Sequence, residues 1–210
     1  MSNLIRNIAA VVVIGGLGAT AAAVYGVGPF SRGNDPFSAC RTSAVAGGTS
    51  AIGGPFTLVN GQGAQVTEKD VITKPSLIYF GYTFCPDVCP LDNVRNADAV
   101  DLLADKGLDV TPVFISIDPD RDTPEVVADF ASAIHPNMIG LTGSAEQVKV
   151  ASTAYRTYYK KNDSGDDYYL VDHSTMSYLV LPEHGFVEFF RRDASPEQVA
   201  KTTACFIEKS

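Results

Sequence analysis

The sequence predicts a mixed α/β sandwich built around a central sheet. An apolar run at residues 76–81 and a second, rich in β-branched residues, at 110–117 have the character of buried strands. Each is followed by a segment with helical periodicity, and this alternation is typical of α/β sheets. Three short strand-like runs then predict a mixed sheet; they lie at residues 168–171, 177–181 and 186–190.

The other elements follow from turn and capping signals. Two strand-like runs flank the Asn60-Gly61 turn and predict a hairpin over residues 56–67. A short strand is expected at residues 138–142. Thr123-Pro124 and Ser195-Pro196 combine a capping side chain with a proline at the first helical position. The predicted helices lie near residues 90–106, 123–134, 144–156 and 195–207.

Composition limits the class of protein. The chain has 210 residues, 45% of them hydrophobic and 19% charged, which suits one globular domain with an appendage. Its net charge of −8 comes from 16 basic and 24 acidic side chains and argues against a nucleic-acid partner.

The appendage is predicted at the N-terminus. Residues 8–27 form a 20-residue uncharged run, long enough to span a membrane as a helix. Arg6 precedes it, so residues 1–7 are expected in the cytoplasm and the rest outside. Residues 28–52 are expected to form a linker and lead-in, and residues 53–210 the domain. A signal peptide cleaved near residues 21–23 is the competing interpretation, and the length of the run favours an uncleaved anchor.

The chemically most informative stretch is the turn between the strand at residues 76–81 and the next helix. It carries two thiols in a Cys-x-x-x-Cys spacing, Cys85 and Cys89. Prolines on either side of Cys89 place the helix start between Pro86 and Pro90. Sulfur atoms at a helix N-terminus favour the thiolate form. Cysteines one helical turn apart have Cβ atoms about 5–6 Å apart, which suits a soft metal better than a relaxed disulfide. The pattern therefore indicates a metal or redox site rather than two cysteines that merely pack.

Three histidines are candidates for an additional ligand. His135 precedes a proline at a helix end and suits a capping or surface role, and His184 lies in a predicted hairpin turn. His173 follows the predicted strand at residues 168–171 and could face the cysteine turn across the top of the domain.

Three motifs resemble those of the Sco/SenC family of copper chaperones for cytochrome c oxidase. They are Thr83-Phe84-Cys85-Pro86-Asp87-Val88-Cys89-Pro90, Ser116-Ile117-Asp118-Pro119-Asp120-Arg121-Asp122-Thr123-Pro124-Glu125 and Val171-Asp172-His173-Ser174. The likeness extends over about residues 53–208, with the motifs in family order. It implies a thioredoxin-like (peroxiredoxin-like) fold with added hairpins and an N-terminal transmembrane helix.

The resemblance also implies a function and a site. Cys85, Cys89 and His173 would bind copper, as Cu(I), Cu(II) or both, and the protein would deliver it to the copper A site of cytochrome c oxidase subunit II. Other periplasmic copper carriers would be further partners. The protein would be a single-pass inner-membrane protein whose domain faces the periplasm. In the alternative function, a thiol-disulfide oxidoreductase, Cys85 and Cys89 would be the redox pair that reduces the cysteines of that site.

Three nearby residues each fit more than one role. Asp172 could orient His173, although neighbouring strand residues point to opposite faces. Asp118 could shape the site or cap a helix. Met176 could offer a thioether, but a methionine in a strand is more often part of the core.

The remaining cysteines, Cys40 and Cys205, suggest a structural disulfide. Four cysteines allow three pairings, and if Cys85 and Cys89 serve the site, only this pair is left. An oxidising compartment favours such a bridge. The alternative is two unpaired thiols, one in the linker and one in the last helix.

Overall fold

The computed structural model describes residues 35–45, 48–162 and 168–210. The unit that carries the fold runs from Ala39 to Ser210. The predicted membrane span at residues 8–27 lies outside the described residues. Within the described ranges, no helix is both long enough and apolar enough to cross a membrane.

Seven strands form a mixed central sheet: β1 Thr57–Asn60, β2 Gln65–Thr67, β3 Ser76–Gly81, β4 Thr111–Ser116, β5 Ile139–Thr142, β8 Ser177–Leu181 and β9 Gly185–Phe190. Their spatial order is β2-β1-β5-β4-β3-β8-β9. Strands β3, β4 and β5 run parallel, whereas β8 pairs antiparallel with β3 and β1 pairs antiparallel with β5. This confirms the prediction of a mixed α/β fold.

The three helices predicted near residues 123–134, 144–156 and 195–207 begin as expected, whereas the short helix at Glu68–Val71 was not predicted. Thr123 Oγ1 accepts a hydrogen bond from the backbone N–H of Val126, and Ser144 and Ser195 each form a capping box. The helices are α1 Glu68–Val71, α2 Val88–Ala104, α3 Pro124–Ile134, α4 Ala145–Ala154 and α5 Pro196–Lys209, and Thr49–Ala51 forms a 3₁₀ turn.

A second, two-stranded sheet departs from the prediction. Strand β6, Tyr159–Lys161, pairs antiparallel with β7, Val171–His173. The predicted strand at residues 168–171 is wrong except for Val171, because the ladder starts there, opposite Lys161. β6 was missed because its Tyr-Lys-Lys sequence has no apolar alternation. His173 is consequently the last residue of a strand, paired with Tyr159, rather than a residue that follows one.

The centre of the core is strand β3, which is buried on both faces. Leu77, Ile78 and Tyr79 are fully buried, and Phe80 is nearly so. A strand this inaccessible fixes the position of the loop that follows it, and this loop carries the two cysteines.

The lead-in segment is attached to the last helix and to β9. A disulfide joins Cys40 to Cys205 with a Cα–Cα distance of 5.6 Å, which confirms the predicted pairing. Fully buried Glu188 accepts hydrogen bonds from the backbone N–H groups of Thr42 (2.8 Å) and Ser43 (3.3 Å) and from both hydroxyls. No local pattern marks this carboxylate, because its partners are about 145 residues away in the chain.

Candidate metal and redox centre

The two cysteines lie where β3 passes into α2. The helix begins at Val88, inside the predicted interval, so Cys85 precedes it and Cys89 is in its first turn. Asp87, at the N-cap, makes no side-chain capping bond. The backbone N–H of Cys89 instead donates to the Cys85 sulfur at 3.3 Å. A sulfur thus takes the place of the usual capping oxygen, where helix N–H groups favour negative charge.

His173 brings an imidazole to the cysteines from the end of β7. Its Nε2 lies 3.3 Å from Cys89 Sγ. Its Nδ1 lies 2.8 Å from the carbonyl oxygen of Ser174, which can only accept a hydrogen bond. In the neutral ring, Nδ1 therefore carries the hydrogen and Nε2 presents its lone pair to the sulfur. The ring meets those of Tyr79 and Tyr82 edge-on, at centroid distances of 6.2 and 5.8 Å.

The structure thus brings together the three residues that the sequence singled out. The ligand atoms of Cys85, Cys89 and His173 all lie within 4.8 Å of one another. Both cysteines are buried, with unpaired thiols. Two sulfur atoms and one imidazole nitrogen form a donor set suited to soft metals such as Cu(I), and also to copper in its higher oxidation state.

The other candidate donors lie elsewhere. His135 is the C-cap of α3, as predicted, but it is buried rather than on the surface, and its Nε2 lies 3.2 Å from Asp101 Oδ1. His184 is exposed in the turn between β8 and β9. Met176 packs against the hydrophobic core.

The two thiols differ in acidity. The pKa of Cys85 is lowered to about 3, chiefly by a hydrogen bond from the Cys89 side chain, while burial acts in the opposite direction. The pKa of Cys89 is raised above its ordinary value, because it donates to Cys85 and because it is buried. The metal-free pair therefore consists of one thiolate and one thiol, and the thiolate is the nucleophile and metal ligand.

A buried polar pair lies behind Cys89. Tyr79 donates a hydrogen bond from its hydroxyl to Asp92 Oδ2 at 3.0 Å. Burial raises the pKa of both groups. The pair holds the ring of Tyr79 against the site, and neither residue was recognised from the sequence, where Tyr79 reads only as part of an apolar run.

The loop between β4 and α3 supports both sides of the site. Asp122 accepts hydrogen bonds from the backbone N–H of Thr83 (3.1 Å) and its hydroxyl (2.6 Å), and so holds the cysteine turn. Asp118 accepts from Arg121 Nε at 2.5 Å and from the Tyr169 hydroxyl at 2.6 Å. Of the two roles predicted for Asp118, shaping the site fits and helix capping does not, since Thr123 caps α3.

Asp172 does not orient His173. Its carboxylate is exposed and accepts a hydrogen bond from Asn162 Nδ2 at 3.0 Å, whereas the Nδ1 of His173 faces the carbonyl of Ser174. The opposite-face rule for neighbouring strand residues accounts for this result.

Fold and site together define a mixed α/β domain that carries a centre of two thiols and one imidazole. The sequence model of the SCO1/SenC family matches residues 44–208. The chain belongs to the SCO1/SenC family.

Known relatives agree with this assignment. Protein SenC of Rhodobacter capsulatus is 53% identical over 200 residues, which cover 95% of this chain and 87% of SenC. The mitochondrial SCO1 homolog 1 of Arabidopsis thaliana is 47% identical over 147 residues, which cover 70% of this chain but only 44% of that protein. The crystal structure of Arabidopsis thaliana ScoI with copper bound has a TM-score of 0.70 at 42% identity and covers 75% of this chain and 99% of that one. The central mixed sheet thus matches the thioredoxin-like structures of Sco proteins.

Proposed function

We propose that this protein is a membrane-anchored copper chaperone that binds copper as its cargo through Cys85, Cys89 and His173. It would deliver the metal to the copper A site of cytochrome c oxidase subunit II. The observation that carries the proposal is the convergence of two free thiols and one imidazole nitrogen within 4.8 Å. The similarity to a copper-bound plant ScoI supports the choice of metal.

The residues of the site suit a cargo that must be released. Thiolates select Cu(I), and the imidazole also suits Cu(II). Two thiolates and Cu(I) carry a net charge of −1, which the N–H groups at the start of α2 offset. A three-coordinate ion leaves room for a thiolate of the acceptor. Copper can then pass by exchange of one ligand at a time.

The anchor and the compartment are part of the proposal. Residues 8–27 would hold the protein in the inner membrane, with residues 1–7 in the cytoplasm and the domain in the periplasm. The Cys40–Cys205 disulfide supports an oxidising compartment, where such bridges persist.

The test uses the full-length chain in detergent, with copper titrated against a chromophoric chelator. His173→Ala should weaken copper binding strongly. The matched control is His184→Ala, the same substitution at an exposed histidine outside the site, which should bind like the parent. The loaded parent should then transfer copper to a purified subunit II copper domain. Equal copper affinity in the parent and His173→Ala would contradict the proposed site, and failure of transfer alone would contradict the delivery role.

A second function is favoured by the unequal acidity of the two thiols. The Cys85 thiolate could attack a disulfide of subunit II to form a mixed disulfide. Cys89 would then attack the Cys85 sulfur, release the partner as a dithiol and leave a Cys85–Cys89 disulfide, so that two electrons pass to the partner. This reductase should largely survive His173→Ala, whereas the chaperone should not. Measuring disulfide reduction and copper binding in the parent and in His173→Ala therefore separates the two functions.

A further inference from the structure

The strand that carries His173 is not part of the central sheet. Among the described residues, β7 has only β6 as a strand partner. The cysteine turn, in contrast, continues directly from β3 at the centre of the large sheet. The sheet's backbone ladders therefore do not by themselves fix the position of His173 relative to the cysteines, and side-chain contacts between the two segments contribute to it.

Arg121 makes such contacts on both sides. Its Nη1 donates to the backbone carbonyl of Tyr169 at 3.0 Å, and its guanidinium carbon lies 3.6 Å from the centre of the Tyr169 ring. Tyr169 lies two residues before β7 begins at Val171. The same guanidinium lies 4.8 Å from the ring centre of Phe84, the neighbour of Cys85, and 5.7 Å from that of Tyr82.

The position of Arg121 is itself fixed. Asp118, 3% exposed, accepts from its Nε at 2.5 Å and also from the hydroxyl of Tyr169 at 2.6 Å. One carboxylate thus holds both the arginine and the tyrosine it stacks on. A planar guanidinium can donate in its plane while its faces contact rings, which a lysine ammonium cannot do.

We propose that Arg121 is a positioning residue that holds the His173 strand against the cysteine turn and so keeps the imidazole within reach of the metal. The inference rests on the proposed copper site. Arg121 acts on copper only through His173. Its removal should therefore weaken binding when His173 is present and have no further effect when His173 is absent.

The chain offers a matched control in Lys161. Its Nζ also lies over the Tyr169 ring, at 3.8 Å, and it pairs with Asp120, but it is about half exposed and belongs to β6. Lys161→Met and Arg121→Met each remove one positive charge and one cation–π contact from the same ring. Only the arginine substitution breaks the link to Phe84 and Tyr82.

The experiment measures copper affinity of the full-length protein in detergent for the parent, Arg121→Met, Lys161→Met, His173→Ala and the double variant Arg121→Met/His173→Ala. Residues that orient metal ligands typically contribute 10- to 100-fold to affinity, so Arg121→Met should bind about 10-fold more weakly. Lys161→Met should bind like the parent, and the double variant like His173→Ala. In electron paramagnetic resonance of the Cu(II) form, the nitrogen coupling from His173 should change in Arg121→Met and stay unchanged in Lys161→Met.

Either of two results would overturn the inference. In the first, Arg121→Met keeps the copper affinity and the nitrogen coupling of the parent. In the second, Arg121→Met lowers copper affinity by the same factor whether His173 is present or absent. Arg121→Lys keeps the positive charge but lacks the planar guanidinium, and it provides a second variant should the methionine variant fail to fold. It should also weaken copper binding only when His173 is present. If His173→Ala alone leaves affinity unchanged, the copper site itself is wrong, a result visible without any Arg121 variant.

Discussion

Replacing Gly81 with alanine tests how closely the Cys89 sulfur is packed. Gly81 ends β3, and a Cβ built there would lie 2.9 Å from Cys89 Sγ, 2.8 Å from Tyr79 Cε1 and 3.2 Å from Phe114 Cε2. All three neighbours are fully buried, so none can swing into solvent. Carbon atoms pack best at about 3.5–4.0 Å, and the added methyl must therefore displace the ring, the sulfur or the strand.

The expected cost is that of overpacking a core, about 1–3 kcal/mol in the free energy of unfolding. Because one of the displaced atoms is a proposed copper ligand, Gly81→Ala should also weaken copper binding. Denaturant unfolding and a copper titration on the same full-length preparation measure both quantities.

Gly61→Ala is the matched control for this substitution. A Cβ at Gly61 would lie 2.5 Å from the Cβ of Ala128, between the β1–β2 turn and α3. It should destabilise the fold without changing copper affinity. If Gly81→Ala left both stability and copper affinity at the parental values, the packing described around Cys89 would be wrong. If both glycine variants lost copper equally, the effect would be one of general stability.

The remaining predictions concern the lead-in segment and the thiols. Cys205→Ser should lower the free energy of unfolding by about 2–5 kcal/mol, because the bridge closes a loop with a sequence separation of 165. If a reductant left the unfolding of the parent protein unchanged, the stabilising role of the bridge would be contradicted. Glu188→Gln should cost about 1–3 kcal/mol in thermal unfolding, since the buried carboxylate accepts from backbone N–H groups and hydroxyls. Because the pKa of Cys85 is lowered to about 3, alkylation of Cys85 should be nearly independent of pH from about 5 to 8, where an ordinary thiol gains tenfold per unit. Mass spectrometry should find Cys89 unmodified there; a tenfold rise per unit at Cys85 would contradict the thiolate.

Features encoded locally could be predicted from the sequence. Prolines around Cys89 located the start of α2, and Thr123-Pro124 and Ser195-Pro196 located the starts of α3 and α5, because each signal acts within a few residues. The choice of His173 among three histidines came from its position near a strand end and from the family resemblance. The Cys40–Cys205 bridge followed once the other two cysteines were assigned to the site.

Hydrogen bonds and ring contacts between residues far apart in the chain could not be predicted. Arg121 and Tyr169 are 48 residues apart, and Glu188 and Ser43 are 145 apart; neither pair leaves a periodic or spacing signal. The ladder of β6 and β7 was missed for a different reason: the pairing of Lys161 with Val171 determines where β7 begins, and the sequence of β6 has no apolar alternation. Arg121 and Asp122 stood within a recognised motif, but the motif alone did not show which segments they join.

X-ray absorption at the copper edge of the loaded full-length protein tests the central claim most directly, because it identifies the atoms bound to the metal. The proposed site predicts two sulfur neighbours and one imidazole nitrogen, with loss of the imidazole scattering in His173→Ala and its retention in His184→Ala. A copper environment with no sulfur, or one unchanged by His173→Ala, would contradict the assignment of Cys85, Cys89 and His173 as the copper ligands.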